Sequence, residues 1–302
     1  MSKPLVSIGG IGGSGTRVIA MILASLGLNI GNDLNQAFDN LTFTLLFKKK
    51  DIQDISEIEF NQLLIIYEKS FTNEKLTNDE IKIIKNLTKF RPGHPKEWLD
   101  KRVNNLIYKT KYFENWQESV KMDDIKLREK YKSLNIIGNK LPIHLNGWGW
   151  KEPNTHIILE RLLVYYPKMK YIHIMRNGLD MAFSENQNQV KLWGHQLLKE
   201  SDFLNIHYAS LKYWCLVHKK IINIGNNMGS KYFLLINFDK MCLEPKKYLT
   251  KICKFLNISK KAIKGLKYLI EPPSVGKFKY HDLSIFDKED ILYVKELGFN
   301  IT

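Results

Sequence analysis

Cysteine is scarce in this 302-residue chain, which holds three: Cys215, Cys242 and Cys253. They are too few and too scattered for a disulfide framework, and none stands in a C-x-x-C pair, so no zinc site is expected either. Long apolar runs are missing too. Nowhere do roughly 18 apolar residues follow one another, the length a bilayer-spanning helix needs. The start, Met1 to Gly13, carries one lysine and a short apolar stretch broken by glycines, unlike a secretory signal. Acidic residues are the minority, 31 against 46 lysines and arginines, for a formal net charge of +15. With 44% hydrophobic and 25% charged residues, a disordered or fibrous chain is excluded. The expectation is a soluble, cytoplasmic protein long enough to bury a large core.

The charge excess favours an anionic partner: a nucleotide-like ligand, a polyanionic glycan, an anionic lipid surface or nucleic acid. The chain is also rich in Lys, Asn and Ile, which biased base composition explains equally well. Charge speaks to association and leaves the fold open.

The opening reads as strand, glycine loop and helix. Leu5 to Ile8 is apolar, Gly9 to Gly15 holds five glycines in seven residues, and Thr16 to Leu28 is almost wholly apolar. From about Phe43 to Asn135 the pattern turns helical and charged. Helices are expected over Ile58–Phe71, Asp79–Phe90 with Asp79 as cap, Trp98–Phe113 and Val120–Leu134, with a break at Arg91–Pro95. This is read as a helical insertion or lid on the acceptor side of one domain covering residues 1–302. An α/β pattern then resumes: a strand over Gly147–Lys151, a helix over Asn154–Tyr166, a strand over Tyr171–Met175 and a helix over Gly178–Gln189. A long helix follows over Asp202–Gly225, then a strand over Tyr232–Ile236 and an amphipathic helix over Pro245–Leu256. Strands separated by helices predict an α/β fold: a P-loop-like parallel sheet of four or five strands flanked by helices.

Gly10-Ile11-Gly12-Gly13-Ser14-Gly15 matches the dinucleotide pattern G-x-G-x-x-G. Asp33 lies at the right distance for a ribose-binding acid, but no strand-like run precedes it. The same residues approach G-x-x-x-x-G-K-[ST], yet Thr16 and Arg17 stand where the lysine and the magnesium-binding hydroxyl belong, which disfavours ATP or GTP chemistry. What remains is anion binding by consecutive N–H groups at the mouth of a helix. Ser14, Thr16 and Arg17 add two hydroxyls and a guanidinium.

A second anion site is suggested by Arg176, at the end of the Tyr171–Met175 strand, with Ser184 eight residues on. Three segments taken together resemble the sulfotransferase superfamily, whose donor is 3′-phosphoadenosine 5′-phosphosulfate (PAPS). They are Gly13-Ser14-Gly15-Thr16, then Arg176-Asn177-Gly178-Leu179-Asp180 with Ser184, and Phe238-Asp239-Lys240-Met241 with Pro245 and Phe255-Leu256. The resemblance extends to Val275-Gly276-Lys277-Phe278-Lys279 and covers roughly residues 4–45 and 145–280. It implies that Gly12, Gly13, Ser14, Gly15, Thr16 and Arg17 hold the 5′-phosphosulfate. Arg176, Ser184, Gly276 and Lys277 would grip the 3′-phosphate, and Phe238 would stack on adenine. Two departures stand out: Gly13 occupies a position often held by Lys or Arg, for which Arg17 would substitute, and no tryptophan lies near Val18.

Sulfuryl transfer needs a base for the acceptor and cations for the leaving group, and no metal. Trp148-Gly149-Trp150-Lys151-Glu152-Pro153 lies about 25 residues before Arg176, similar to the position of the family's catalytic segment, and the resemblance implies that Lys151 stabilises the sulfuryl group and Glu152 acts as base. The bland alternative is an ordinary Lys151–Glu152 ion pair beside core tryptophans. Asp33 and Asp39 are rival bases; His144 and His195 are weaker candidates, and His173 reads as core. The resemblance thus implies transfer from PAPS, with PAP as product, to a hydroxyl of a glycan or glycoconjugate. Nucleic acid is not an expected partner, while peripheral membrane contact fits the charge. An atypical P-loop kinase and a non-enzymatic polyanion-binding protein are the alternatives.

Overall fold

The computed structural model describes residues 4–72, 74–89, 95–108, 121–122, 147–263, 266–270 and 275–302. The chain divides into two compact units, one of residues 1–5 and 23–152, the other of residues 6–22 and 153–302. Strand β1 (Leu5–Gly10) leads through the glycine loop into helix α1 (Thr16–Ser25), as the sequence predicts. Val6 and Ile8 of the strand and Ile19, Ala20, Ile22 and Leu23 of the helix are wholly buried, which is why this helix shows no polar face. Within each unit the strands pair in parallel.

In the first unit β2 (Leu28–Asn29) pairs in parallel with β5 (Gly147–Lys151), and β3 (Asp33–Leu34) with β4 (Lys121–Met122). Residues 121–122 are therefore extended where a helix was expected; the rest of that expected helix lies outside the described residues. Helix α2 (Leu41–Phe47) is buried along its whole length and starts at Asn40, whose side chain accepts from the Phe43 N–H at 2.8 Å. Helices α3 (Glu57–Lys69), α4 (Asn78–Lys89) and α5 (Lys96–Ile107) follow. Asp79 does not cap α4. Thr77 does: its hydroxyl accepts from Glu80 N–H at 3.2 Å while the Glu80 carboxylate accepts from Thr77 N–H at 2.6 Å, the reciprocal capping box. The core here is aromatic. Trp150, fully buried, stacks on Phe43 at 5.1 Å and meets Tyr67 edge-on at 5.4 Å, and Trp148 packs on Phe71 at 5.0 Å.

In the second unit β6 (Lys170–Met175) lies between β1 and β7 (Phe233–Asn237), parallel to both, with Gly10 opposite Ile174 and Asn237 opposite Met175. The expected helix over Asn154–Tyr166 is a 3-10 stretch (Pro153–Ile158) followed by α6 (Leu159–Tyr165). The expected helix over Gly178–Gln189 is two: α7 (Gly178–Ala182) and α8 (Asn188–Trp193). The cause is Gln187, whose buried amide donates to the carbonyls of Met181, Ala182 and Ser184 and so ends α7. Helix α9 (Ile206–Met228) starts at Asn205, and α10 (Phe238–Leu243) at Asn237, each capped by its asparagine side chain. Helix α11 (Pro245–Leu256) has the bounds read from the sequence, with proline at its first position and Asn257 ending it at φ +58°. Helix α12 (Lys288–Glu296) follows, and no helix among the described residues is long and apolar enough to cross a membrane.

Candidate active site

Two clusters contain the residues singled out above, one in each unit. In the second unit the chain leaves β1 and turns tightly, with Ser14 N–H donating to the Ile11 carbonyl at 3.0 Å. Gly13 and Gly15 sit at φ +93° and +95°, a region in which L side chains are strained. At Gly15 the space is also closed, since a Cβ would lie 2.6 Å from the Phe238 ring. At Gly13 a Cβ would meet nothing within 4 Å. Ser14 is 1% exposed and its hydroxyl has no hydrogen-bond partner, while Thr16 is buried and Arg17 exposed in the first turn of α1. A buried hydroxyl without a partner is costly. Together with a glycine turn at a helix mouth, it fits an anionic ligand group that completes the set of hydrogen bonds.

Below this loop Gln189 reaches from α8, its amide donating to Asn154 Oδ1 at 3.0 Å and, at the long limit of 3.5 Å, to the Gly10 carbonyl. Trp193 Nε1 donates to the same Asn154 oxygen at 2.8 Å. Sequence reasoning missed this buried support because a Gln, an Asn and a Trp at scattered positions form no motif.

Strand β6 brings Arg176 to the loop, where Nη1 donates to the Gly13 carbonyl at 3.4 Å. Ser184 lies in the turn after α7 instead of inside a helix, and its hydroxyl accepts from the Asn186 N–H at 3.3 Å. Phe238 is 4% exposed with its ring against Gly15, so it supports the loop and offers no free face for stacking. Gly276 adopts φ +85° and opens a 3-10 turn, Lys277–Tyr280, in which Lys277 is exposed. Next to Arg176, Asn177 N–H donates to Asp239 Oδ2 at 3.3 Å; the other oxygen of Asp239 is buried without a partner. Burial pushes the Asp239 carboxyl up to about 6, against the pull of the Asn177 N–H and the Arg176 charge and with the help of Asp180.

The second cluster belongs to the first unit and forms where β5 ends. Lys151 is 2% exposed; its ammonium donates to the Ala37 carbonyl at 3.0 Å and to the Asp39 carboxylate. The ion pair of Lys151 is thus with Asp39, and the ordinary Lys151–Glu152 pair weighed from the sequence is not formed. Burial acts to raise the Asp39 carboxyl, but the charge and hydrogen bond of Lys151, a hydrogen bond from Asn35 and the more distant Lys48 outweigh it. Its pKa is held below the usual carboxylate range. Glu152, 1% exposed, accepts from Thr44 Oγ1 at 2.5 Å. Asp33 is engaged elsewhere, accepting from Arg102 Nη1 at 2.6 Å in a buried pair. Among the other candidates, His173 is core at 0% exposure, His195 is exposed, and His144 lies outside the described residues. No group of three or more His, Cys, Asp or Glu among the described residues is arranged to hold a metal.

A strand, a glycine turn at a helix mouth and a strand-end arginine on that turn make a cradle whose chemistry suits an anion. Residues 4–261 match the model of the sulfotransferase family, and the chain belongs to that family. Its chemistry is sulfuryl transfer. Among solved structures, the sulfotransferase domain of the Synechococcus PCC 7002 olefin synthase is similar at 15% identity and a TM-score of 0.48, covering 100% of this chain and 98% of that one. The sulfotransferase domain of the curacin biosynthetic pathway aligns at 14% identity and a TM-score of 0.46, covering 100% and 99%. Sulfotransferase STF9 from Mycobacterium avium aligns at 13% and 0.44, covering 100% and 78%. A search of curated proteins found no match.

Proposed function

We propose that the chain moves the sulfuryl group of PAPS to a hydroxyl of a glycan or glycoconjugate and releases PAP. The observation that carries the donor reading is the glycine turn at the mouth of α1, with the Ser14 hydroxyl buried and unpartnered and Arg176 on the Gly13 carbonyl. Gly12, Gly13, Ser14, Gly15, Thr16 and Arg17 would take the 5′-phosphosulfate, and Arg176, Ser184, Gly276 and Lys277 the 3′-phosphate. Lys151 would meet the charge that develops during transfer. Of the three carboxylates, Asp33 is tied to Arg102, and Asp39 is held in its weakly basic ionised form by Lys151. Glu152, whose carboxylate is held by Thr44 Oγ1, is assigned as the base that accepts the acceptor hydroxyl's proton. The net charge of +15 supports an anionic acceptor.

The test is transfer of label from ³⁵S-PAPS to a panel of oligosaccharides and polysaccharides, set beside simple alcohols and amines. Label on a glycan hydroxyl, lost by roughly a hundredfold in Glu152→Gln, is the expected result. Label that goes to amines alone, or a Glu152→Gln variant as active as the parent, would overturn the assignment.

A further inference from the structure

The segment after Val275 is strapped to α7 at both ends. Asp180, 1% exposed in the middle of α7, accepts from two backbone N–H groups, Gly276 at 2.9 Å and Phe278 at 3.2 Å. The Phe278 ring is buried between the two exposed lysines Lys277 and Lys279. At the far end the His281 ring stacks on Phe183, the residue that ends α7, at 4.0 Å and 8° between planes. A buried carboxylate is unfavourable unless charge-assisted hydrogen bonds offset its desolvation. Here those bonds go to the backbone of a short basic turn that has no strand or long helix of its own to hold it.

We propose that Asp180 is a positioning residue for donor selection: by fixing the Gly276–Tyr280 turn on the helix that follows Arg176, it aims Lys277 at the 3′-phosphate of the donor. This rests on the PAPS reading above. Asp180 touches no substrate and acts through the lysine. Two effects of removing its charge have opposite signs. If only the field mattered, Asp180→Asn would delete a negative charge from an anion site and strengthen nucleotide binding. If position matters, the amide cannot accept from both N–H groups, the turn loosens, and binding weakens for ligands that carry a 3′-phosphate.

The experiment is calorimetric titration of the full chain with adenosine 3′,5′-bisphosphate and, separately, AMP, which lacks the 3′-phosphate. Asp180→Asn is expected to weaken the bisphosphate by roughly tenfold or more while AMP changes by less than about twofold, since one charge-assisted contact is at stake. Lys277→Ala, at an exposed site that leaves folding intact, is expected to narrow the same ratio, and the double variant to lose no more than either alone. Hydrogen exchange of the peptide covering residues 275–281 is expected to speed up in Asp180→Asn. An unchanged or increased bisphosphate-to-AMP preference in both variants, with the parent chain binding bisphosphate, would overturn this inference alone. No bisphosphate binding by the parent chain would overturn the donor reading and the inference with it.

Discussion

The Lys151–Asp39 pair offers the sharpest stability prediction, because the two charges face each other at a buried strand end. The Lys151 side chain is 2% exposed and that of Asp39 20%. Two unit charges at contact distance attract by about 4 kcal/mol at an effective dielectric near 20, and each has given up hydration to be there. Removing one partner leaves the other charge buried, a loss of about 3–5 kcal/mol. Lys151→Met keeps the length of the side chain without its charge, and Asp39→Asn keeps the shape of the acceptor. Each single variant should therefore lose about 3 kcal/mol or more, whereas the double variant should lose far less than the sum, giving a coupling of about 2–3 kcal/mol. The pH dependence has a definite sign. The depressed carboxyl of Asp39 contributes stability above its unfolded value, 3.8, and that contribution is lost as pH falls through the lower folded value. In Lys151→Met only the Asn35 hydrogen bond and the charge of Lys48 still oppose burial at Asp39, so the damage should be greatest near neutrality and shrink toward pH 4. Urea unfolding of the four chains, followed by circular dichroism at two pH values, reads all of this. Additive single losses with no pH dependence would show that the pair is not an electrostatic unit and refute the reasoning.

Other perturbations follow from the same physics. Gly15→Ala meets both a left-handed backbone and the Phe238 ring at 2.6 Å, so it should lose about 2 kcal/mol or more and abolish nucleotide binding. Gly13→Ala, with open space around it, should lose only about 1 kcal/mol of stability by the same urea unfolding. Asp239→Asn should stabilise the protein near pH 7.5 by up to about 3 kcal/mol, because a carboxyl raised to about 6 resists ionisation in the fold. The gain should vanish below pH 4, where both folded and unfolded chains hold the proton, and a lower melting temperature for the variant at pH 7.5 would sink the idea. Burial holds His156 near 4, His218 near 3 and His173 well below its usual value, His173 being further lowered by the other two and His156 by Lys220. The unfolded chain takes up protons there first, so stability should fall steeply as pH drops from about 6.5 toward 4. A flat melting temperature over that window would contradict this.

Much of the fold was legible where local chemistry leaves one choice. The glycines between Leu5–Ile8 and Thr16 announce a turn that other residues resist, and three of them, Gly10, Gly13 and Gly15, do adopt positive φ. Helix α11 was read to the residue because Pro245 opens it and its apolar spacing is regular. The failures have physical causes as well. Helix α2 was not seen because Leu-Thr-Phe-Thr-Leu-Leu-Phe is buried on every side and so shows no helical periodicity. The break between α7 and α8 depends on one glutamine side chain folding back on three carbonyls, which no pattern of hydrophobicity encodes. The Thr77–Glu80 capping box is written in the sequence as T-x-x-E, while Asp79 has the composition of a cap but stands two residues too late.

The site was half legible. Arg176 and the loop were found as separate anion sites, and the contact between them required the parallel register of β6 against β1. Lys151 was singled out by its place at a strand end, yet its partner Asp39 lies 112 positions earlier and no spacing rule connects them. Asp180 stood inside a quoted motif with no role, because its two partners are backbone groups 96 and 98 residues away. Long-range hydrogen bonds to backbone leave no trace in composition.

As proposed above, the glycine loop and Arg176 form a donor site for a nucleotide with phosphates on both sides of the ribose. Calorimetric titration with adenosine 3′,5′-bisphosphate, beside ATP–magnesium and NAD at one ionic strength and repeated on Arg176→Ala, tests it most directly. Saturable binding of the bisphosphate alone is expected, weakened by about 2 kcal/mol or more in Arg176→Ala. Binding of ATP–magnesium without the bisphosphate, or bisphosphate binding that ignores Arg176, would contradict it.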